Sequence, residues 1–317
     1  VSASLSTEYM YTTGKYKFTY AVAGGYDTTA VRRNGDVNAL RAEGGLYGKM
    51  KGGYWRTKAY FYNSERGYPG AVVRNRFSHE DRQWDKNFFF QSSFKKDFGG
   101  VYSLLLNTKY AYDYLHYLAD PRKEEATMYV DNTYRQQEVY LSMANRVTLL
   151  PFWDVNLSAD YQWNKLDANL TDFPYPQRNT TLVAAATSLH FERFKLQASV
   201  LGTFVQENVA SDTTSAGNKM EFTPTFMASY KPFKNIDFNL RAFYKRIFRM
   251  PTLNDLYYTF IGNIKLKPEY TNQYNVGFTY QKLFAGTWLQ ALNVQLDAYY
   301  NEVENKIIAT PTNNFFR

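Results

Sequence analysis

The chain has 317 residues, 44% of them hydrophobic, no cysteine and a formal net charge of +8. It holds no run of about 18 apolar residues, which excludes a transmembrane helix. The absence of cysteine excludes disulfides and thiolate metal sites. Lysine and arginine are scattered singly or in pairs, and no nucleic-acid-binding spacing is present, so we expect no nucleic-acid partner.

Aromatic residues are abundant, with 29 Tyr, 24 Phe and 5 Trp making up 18% of the chain. Tyr and Trp have an apolar body and a polar tip, so they suit a surface that lies partly in lipid and partly in water. Composition alone fits a membrane β-protein and also an aromatic-rich soluble β-protein.

Apolar and polar residues alternate with a period of two along most of the chain, which predicts strands rather than helices. In the segment 153–164, Trp153, Leu157 and Tyr161 fall on one face and Asp154, Ser158 and Gln162 on the other. About fourteen strands are predicted. In chain order they lie near 1–12, 15–26, 37–50, 54–63, 83–96, 101–116, 133–149, 153–166, 179–192, 194–207, 219–231, 236–247, 269–283 and 290–308.

The polar face of these strands is rich in Asn, Gln, Ser, Thr and Asp, whereas the solvent face of a soluble sheet is expected to be crowded with Lys and Glu. The apolar face ends in aromatic residues at the strand tips. The strands also exceed the soluble mode of about 5–6 residues and match the length that a tilted membrane strand needs. These features predict an all-β fold, an antiparallel transmembrane β-barrel that crosses the bacterial outer membrane many times and occupies residues 1–317 as one domain.

Short and long connections alternate along the chain. The short turns are predicted at 51–53, 98–100, 151–152 and 232–235, and the long links at roughly 64–81, 117–131, 167–178, 208–218 and 248–268. Such alternation is typical of barrels whose short turns face the periplasm and whose long loops face the exterior.

The sequence shows no enzymatic motif. The histidines His79, His116 and His190 are isolated, and no HExxH, GxSxG or Walker pattern is present, so we expect no enzymatic activity. A catalytic triad assembled from distant loops stays open, because triads are spatial arrangements.

The long links supply the candidate ligand-binding residues, on the hypothesis that they form an extracellular surface; the alternative is that they are solvated loops. Glu80, Asp81 and Asp85 are calcium candidates because calcium prefers clustered oxygen ligands, although the DxDxDG spacing is absent. No other cofactor is predicted. The candidate ligand contacts are Arg66, Tyr68, Arg74, Tyr117, Tyr175, Tyr257 and Tyr258.

Residues 248–270 interrupt the alternation with FRMPTLNDLYYTFIGNIKLKPEY. This segment resembles the FRAPT-x-x-(D/E)-LY…GNP-x-LKPE signature of TonB-dependent outer-membrane receptors, and it differs at Met250 and Ile264, where Ala and Pro are usual. Whether these residues contact a ligand or only fold the barrel is left open. The matching positions are Phe248, Arg249, Pro251, Thr252, Leu253, Asp255, Leu256, Tyr257, Gly262, Asn263, Leu266, Lys267, Pro268 and Glu269.

The family resemblance implies a 22-stranded barrel filled by an N-terminal plug, in which the signature lies near strands twelve to fourteen. About fourteen predicted strands imply that this chain is a partial barrel, without the plug and the last strands. The implied partners are the TonB–ExbB–ExbD energy-coupling system, acting through the plug, the lipid and lipopolysaccharide of the outer membrane, and a surface lipoprotein.

The segment 64–91 also resembles the cobalamin receptors of the Bacteroidetes branch, which implies uptake of cobalamin or a related corrinoid. The resemblance also disfavours a haem ligand, because haem receptors of this family carry a histidine, the natural ligand of haem iron, within this part of the signature, and residues 252–261 contain none. A ferric-siderophore receptor of the same family is the alternative ligand class. Two other function classes stay open: a passive porin-like channel, and a soluble β-protein or surface adhesin.

Overall fold

The computed structural model describes residues 1–22, 24–69, 81–119, 129–210, 215–258, 262–286 and 288–308. The described part of the chain is almost entirely β-structure, as the alternation predicts, and contains one short helix that is neither long nor apolar enough to cross a membrane. The elements are β1 (Ser2–Thr12), β2 (Tyr16–Ala21), β3 (Asp27–Arg32), β4 (Val37–Met50), β5 (Gly53–Tyr68), β6 (Asp81–Phe98), β7 (Tyr102–Ala119), β8 (Val130–Leu150), β9 (Trp153–Ala168), β10 (Gln177–His190), β11 (Phe194–Asn208), β12 (Lys219–Tyr230), β13 (Asp237–Arg249), α1 (Leu253–Tyr257), β14 (Glu269–Leu283) and β15 (Ala291–Glu304).

Strand order follows chain order. Thirteen of the described strands form one sheet in the order β1-β4-β5-β6-β7-β8-β9-β10-β11-β12-β13-β14-β15, and β2 pairs with β3 in a second sheet. The pairing is antiparallel wherever the register is defined; β13 and β14, for example, pair from Asp237↔Gln281 to Arg249↔Glu269. The predicted all-β antiparallel fold is therefore confirmed.

The prediction of one barrel strand at 15–26 is wrong. This segment holds β2, which pairs only with β3, a strand that the prediction missed. Gly24 and Gly25 have φ values of 121° and 80°, and this left-handed backbone reverses the chain after six residues of strand. The two strands form a hairpin inside the β1–β4 connection, while β1 pairs directly with β4 from Ser2↔Tyr47 to Thr12↔Val37.

Two compact units are present in the chain. Unit 1 comprises residues 1–94, 107–140 and 163–177, and unit 2 comprises 95–106, 141–162 and 178–317. Unit 1 holds the C-terminal ends of β5, β7 and β9, each of which is followed in the chain by a long link. Because β5 continues to Tyr68 and β7 to Ala119, these links begin later than the predicted starts at 64 and 117.

In both units, the side of the strands that bears large apolar residues is exposed, and we call it the apolar face. In unit 1 it includes Phe61, Phe88 and Phe90, and in unit 2 it includes Phe222 and Phe226, which is 50% exposed. The opposite side, the polar face, holds the buried positions Ser64, Asp85, Thr203, Glu207 and Thr223. This distribution is the reverse of a soluble sheet, whose apolar face is covered.

Ion pairs between strands line the polar face. In unit 1, Lys58 pairs with Glu43 at 2.8 Å and Lys109 with Glu138 at 2.9 Å. In unit 2, Arg241 on β13 reaches Asp297 on β15 across Gly277 of β14, with the Arg241 Nε 3.0 Å from Oδ1. A Cβ at Gly277 would collide with the Asp297 carboxylate, so glycine is required for this pair to form.

Candidate functional site

Local sequence explains why the signature segment begins with a helical turn. Thr252 is the N-cap of α1, and its Oγ1 accepts a hydrogen bond from the Asp255 amide at 3.1 Å. The Asp255 carboxylate in return accepts one from the Thr252 amide at 2.8 Å. This reciprocal capping box satisfies two backbone donors at the start of the helix. Leu253 and Leu256 point into the protein and are buried.

The chain after α1 folds back onto the helix. The Gly262 amide donates to the Tyr258 carbonyl at 2.7 Å, and the Asn263 amide donates to the Asp255 carbonyl at 2.8 Å. A Cβ on Gly262 would lie 2.5 Å from the Tyr258 carbonyl oxygen, so only glycine allows this approach. Gly262 and Asn263 of the signature therefore have a defined structural role.

A buried cluster, the signature latch, joins α1 to β10 and β11 and consists of Arg178, Glu207, Pro251 and Tyr257. The Arg178 guanidinium donates to the Pro251 carbonyl at 2.6 Å and, through Nε, to Glu207 Oε2 at 2.8 Å. The Tyr257 hydroxyl donates to the other carboxylate oxygen of Glu207. The Glu207 carboxylate thus accepts hydrogen bonds from Arg178 on β10 and from Tyr257 on α1. These bonds fix the signature segment against two strands of unit 2.

Burial makes the latch energetically demanding. The side chain of Glu207 is 0% exposed and that of Arg178 is 9% exposed. A buried charge is tolerated only when it is paired and its remaining hydrogen-bonding sites are filled. The Ala216 amide, 3.3 Å from Glu207 Oε1, adds a further donor to the carboxylate. Burial, and then the hydrogen bond to Glu207, raise the pKa of the Tyr257 hydroxyl above its usual range.

The two ends of the signature segment contact β13, β14 and the chain after β15. The Phe248 ring packs against Tyr270 with centroids 5.5 Å apart, and the Arg249 guanidinium lies 4.0 Å from the Glu269 carboxylate. The Pro268 carbonyl accepts a hydrogen bond from the Asn305 side chain at 3.2 Å. The Leu266 amide donates to the Asn263 carbonyl at 3.1 Å. These contacts give most of the signature residues a folding role.

Three of the predicted ligand contacts, Arg66, Tyr68 and Tyr117, meet in unit 1 at the end of the strands where the long links begin. The rings of Tyr68 and Tyr117 lie edge to face with centroids 6.2 Å apart. The Tyr68 hydroxyl donates to Gln83 at 2.9 Å, and the Arg66 guanidinium lies 2.6 Å from the Asp85 carboxylate. We call Arg66, Tyr68, Gln83, Asp85 and Tyr117 the loop-base cluster.

An adjoining set of residues that sequence reasoning missed fixes the base of the β2–β3 hairpin. Arg82 donates to both oxygens of Asp36 at 2.8 and 2.9 Å and to Glu65 at 2.5 Å. The Asn34 side chain donates to the Tyr68 carbonyl at 3.0 Å and to the Asp81 carbonyl at 2.9 Å. Asn34 has a φ of 58°, which asparagine tolerates, and the Asn34-Gly35 pair was the available turn signal. We call Asn34, Asp36, Glu65 and Arg82 the arginine clamp.

The other predicted ligand contacts lie elsewhere. Tyr175 is 41% exposed, packs its ring against Phe173 and lines a cavity of about 370 Å³ in unit 1. Tyr257 belongs to the signature latch, and Tyr258 caps the C-terminal end of α1. Arg74 lies outside the described residues. Ligand binding by all seven residues stays a prediction.

Two of the three calcium candidates, Asp81 and Asp85, already have protein partners. The Asp81 carboxylate accepts a hydrogen bond from the Tyr117 hydroxyl at 2.9 Å, and Asp85 accepts from Arg66 and from Gln83. Within the part of the chain that the structure describes, no three acidic, histidine or cysteine side chains are arranged to hold a metal ion. Glu80 lies outside that part, and a calcium site stays a prediction.

The family profile described as "TonB dependent receptor-like, beta-barrel" matches residues 3–317. The chain belongs to this family. Proteins of the TonB-dependent receptor family lie in the outer membrane. In the described part of the chain, the signature segment lies between β13 and β14, the eleventh and twelfth strands in the order of the large sheet.

Solved structures show the same fold at low sequence identity. The copper transporter OprC superposes with a TM-score of 0.69 at 14% identity, over 97% of this chain and 50% of OprC. The siderophore receptor PiuA from Acinetobacter baumannii gives a TM-score of 0.61 at 11% identity, over 94% and 54% of the two chains. The FrpB iron transporter from Neisseria meningitidis gives 0.62 at 12% identity, over 88% and 46%. The chain therefore spans about half the length of these neighbours.

No curated protein sequence matches the chain. The family and its solved neighbours have the names of receptors and transporters, in line with the expectation of a non-enzymatic protein. Those names refer to copper, siderophores and iron, and none of these three names refers to cobalamin, so the comparisons do not support the cobalamin subtype.

Proposed function

We propose that this chain forms the barrel part of an outer-membrane receptor that imports a scarce metal complex, with energy from the TonB–ExbB–ExbD system. Family membership over residues 3–317 supports the receptor class. Energy coupling is part of the proposal because a TonB-dependent receptor works in a membrane that has no ATP supply. The plug, through which coupling would act, is a feature implied by the family resemblance.

The reversed faces of the sheet are the observation on which a membrane location rests. Residues such as Phe90, Phe222 and Phe226 are exposed on the apolar face, whereas Ser64 and Glu207 are buried on the polar face. In lipid, an exposed apolar face is stable and a polar face must line an interior. In water, the same exposed face would drive aggregation.

The loop-base cluster favours a ligand with little net charge, and we propose cobalamin or a related corrinoid. Arg66 is neutralised by Asp85, and Arg82 is neutralised by Asp36 and Glu65. The remaining groups of the loop-base cluster are the rings and hydroxyls of Tyr68 and Tyr117 and the Gln83 amide, which suit a large ligand with an amide rim. The resemblance of segment 64–91 to cobalamin receptors points to the same ligand.

A ferric siderophore is the second candidate, because the neighbours include the siderophore receptor PiuA and the pyoverdine-binding receptor FpvA. An anionic chelate gains most from cations that no carboxylate neutralises. Because carboxylates neutralise the charges of Arg66 and Arg82, a ferric siderophore is less favoured than a corrinoid.

Isothermal titration calorimetry on the receptor expressed from its complete reading frame tests the ligand. We expect cyanocobalamin to bind at micromolar concentration or tighter, and the double variant Tyr68→Ala, Tyr117→Ala to lose about tenfold in affinity, equal to about 1.4 kcal/mol. Tyr9→Ala on the exposed apolar face is the control and should bind as the wild type does.

Three outcomes contradict the proposal in different ways. If the receptor releases or absorbs heat on titration with a ferric siderophore but not with cyanocobalamin, the ligand is a siderophore and not a corrinoid. Wild-type affinity in the double variant removes the loop-base cluster from the binding site. If the receptor shows a large, permanently open conductance in planar bilayers, it is a passive channel and not an active uptake receptor.

A further inference from the structure

The polar face of unit 1 contains a second cavity, of about 480 Å³, which extends from β5 to β8. Three cationic side chains line it, and no acidic side chain does. The polar side chains of its lining that matter most are Arg56, Lys58, Ser93, Asn107 and Lys109. Because alternate residues of a strand point to the same side, Arg56 and Lys58 lie on the side of β5 that holds the buried Ser64. The charge of this lining depends on the carboxylates beside it.

Two of the three cations are compensated by carboxylates outside the lining. The Lys58 ammonium lies 2.8 Å from Glu43, and the Lys109 ammonium lies 2.9 Å from Glu138. The Glu138 carboxylate also accepts a hydrogen bond from the Asn164 side chain at 3.2 Å. These contacts fix both lysines at the wall of the cavity. An ammonium has more donors than one carboxylate contact uses, so each lysine can still donate to a ligand.

Arg56 is the uncompensated cation of the cavity. It is exposed, and its guanidinium forms no ion pair and no hydrogen bond with any residue in the described ranges. A guanidinium keeps its charge at all physiological pH values and can donate to two oxygens of one phosphate group at once. The cavity therefore offers one free positive charge, in a group whose geometry suits a phosphate.

Neutral donors lie in the same lining. The Ser93 hydroxyl donates to the Asn107 side-chain oxygen, which leaves the Asn107 amide nitrogen without a partner among the described residues. Tyr140 adds an aromatic ring to the wall. One free charge together with neutral donors suits a group with a single negative charge, such as a phosphodiester, better than a multiply charged chelate.

The cavity and the loop-base cluster lie far apart on the same face. The stretch of β5 from Lys58 to Tyr68 is roughly 33 Å long, so a small ligand contacts one of the two places at a time. At the loop-base cluster the charge of Arg66 is neutralised by Asp85. An anionic group on the ligand therefore finds a free cation in the cavity and not in the loop-base cluster.

We propose that this cavity, through Arg56, is an inner subsite that binds the phosphodiester of the imported corrinoid after the ligand has left the loop-base cluster. The subsite rests on the proposed function, in which the polar face lines the barrel interior and the ligand is a corrinoid. A cobalamin carries amides around its corrin ring and a single phosphodiester in its nucleotide loop. The amides suit the neutral groups of the loop-base cluster, and the phosphodiester suits the guanidinium of Arg56 and the amide of Asn107.

Uptake by cells that express the complete reading frame tests the subsite, with cyanocobalamin and dicyanocobinamide as a matched pair of ligands. Cobinamide has the corrin ring and its amides but lacks the nucleotide loop and the phosphodiester. We expect Arg56→Gln to lower the uptake rate of saturating cyanocobalamin about tenfold, the effect of one charge-assisted hydrogen bond. The uptake rate of cobinamide should not change. The calorimetric affinity for cyanocobalamin should also be unchanged, because Arg56 is remote from the loop-base cluster.

Two further variants separate the charge of Arg56 from its geometry and from the charge of the face. Lys49→Gln removes an exposed cation of the same face outside the cavity lining, and its uptake rates should stay within about twofold of wild type. Arg56→Lys keeps the charge without the planar fork, and it should reduce cyanocobalamin uptake by only about threefold. Heat-modifiable gel migration confirms that every variant is folded.

The pair of ligands distinguishes the ways in which the proposal can be wrong. If Arg56→Gln slowed the uptake of both corrinoids equally, the residue would support the barrel and not the phosphodiester. If both rates equalled those of wild type, the cavity would lie off the path of the ligand, as a site for free phosphate would. If cyanocobalamin affinity fell, Arg56 would belong to the outer binding site. A wild type that takes up neither corrinoid would instead refute the proposed function, and the inner subsite with it.

Discussion

The signature latch in unit 2 and the arginine clamp in unit 1 both use an arginine to fix a connecting segment to the strands, but they differ in burial. The latch side chains Arg178 and Glu207 are 9% and 0% exposed. In the clamp, Arg82 is 22% exposed, Asp36 36% and Glu65 45%. Water screens the clamp and not the latch, so the same pair of chemical groups should contribute very differently to stability in the two places.

The largest expected effect is that of Glu207→Gln, which leaves the Arg178 charge buried without its partner. We expect the free energy of unfolding to fall by about 3–5 kcal/mol, the usual cost of breaking a buried ion pair. Urea titration in lipid vesicles, followed by tryptophan fluorescence, measures it. Glu8→Gln, which breaks an exposed pair with Arg41, is the control and should cost about 0–1 kcal/mol.

If Glu207→Gln and Glu8→Gln lowered the free energy of unfolding equally, burial would not make the latch ion pair stronger than an exposed one. Hydrogen exchange gives a second readout, since the amides of Leu256 and Tyr258 bond within the signature segment. Faster exchange there in Glu207→Gln, but not in Glu8→Gln, is expected if the latch fixes that segment.

The next effect concerns the hydroxyl of Tyr257 and its dependence on pH. Tyr257→Phe leaves one buried oxygen of Glu207 without this donor, which should cost about 1–3 kcal/mol near neutral pH. Because the folded protein raises the pKa of Tyr257, this contribution is complete below about pH 10, the pKa of an unfolded tyrosine. Above that pH the unfolded tyrosine loses its proton first, so stability falls as pH rises.

The wild type should therefore lose more stability between neutral pH and pH 11 than Tyr257→Phe does, as measured by urea titration at each pH. Tyr9→Phe, at an exposed position, controls for removal of one ionisable phenol. A loss with pH that is the same in all three proteins would contradict the assigned role of the hydroxyl.

The smallest effect is expected in the clamp. Arg82→Gln should reduce the free energy of unfolding by roughly 1 kcal/mol, because exposed ion pairs contribute little. Its visible consequence should be local, since Arg82 fixes Asp36 beside the β2–β3 hairpin. We expect faster hydrogen exchange in Tyr16–Ala21 and Asp27–Arg32, and no change after Arg56→Gln. If Arg82→Gln lowered the free energy of unfolding as much as Glu207→Gln does, the proposed difference in stability between the clamp and the latch would be wrong.

Sequence alone predicted the strands and the class of fold because a period of two persists over long segments such as 153–164, and few other structures produce it. It located the signature segment because the order of residues there resembles a known motif. It did not predict the latch or the clamp. Arg178 and Glu207 are 29 residues apart, and Asp36 and Arg82 are 46 apart. Such partners are set by the register between strands, which alternation does not fix.

The hairpin shows a different limit. Alternation at 15–26 predicted one strand of the large sheet, but the left-handed conformation of Gly24 and Gly25 turns the chain back after Ala21. A pair of glycines within a short alternating segment indicates a turn, and here the turn outweighs the pattern around it. Of the ligand candidates, Arg66, Tyr68 and Tyr117 came together because β5, β6 and β7 are sheet neighbours.

Energy-dependent uptake tests the central claim most directly. Cells that express the complete reading frame would be given labelled cyanocobalamin with and without a protonophore, beside cells that lack the gene. We expect accumulation that requires the gene and stops when the proton gradient is removed. Accumulation that continues without the gradient, or none in either condition, would contradict an energy-coupled corrinoid receptor.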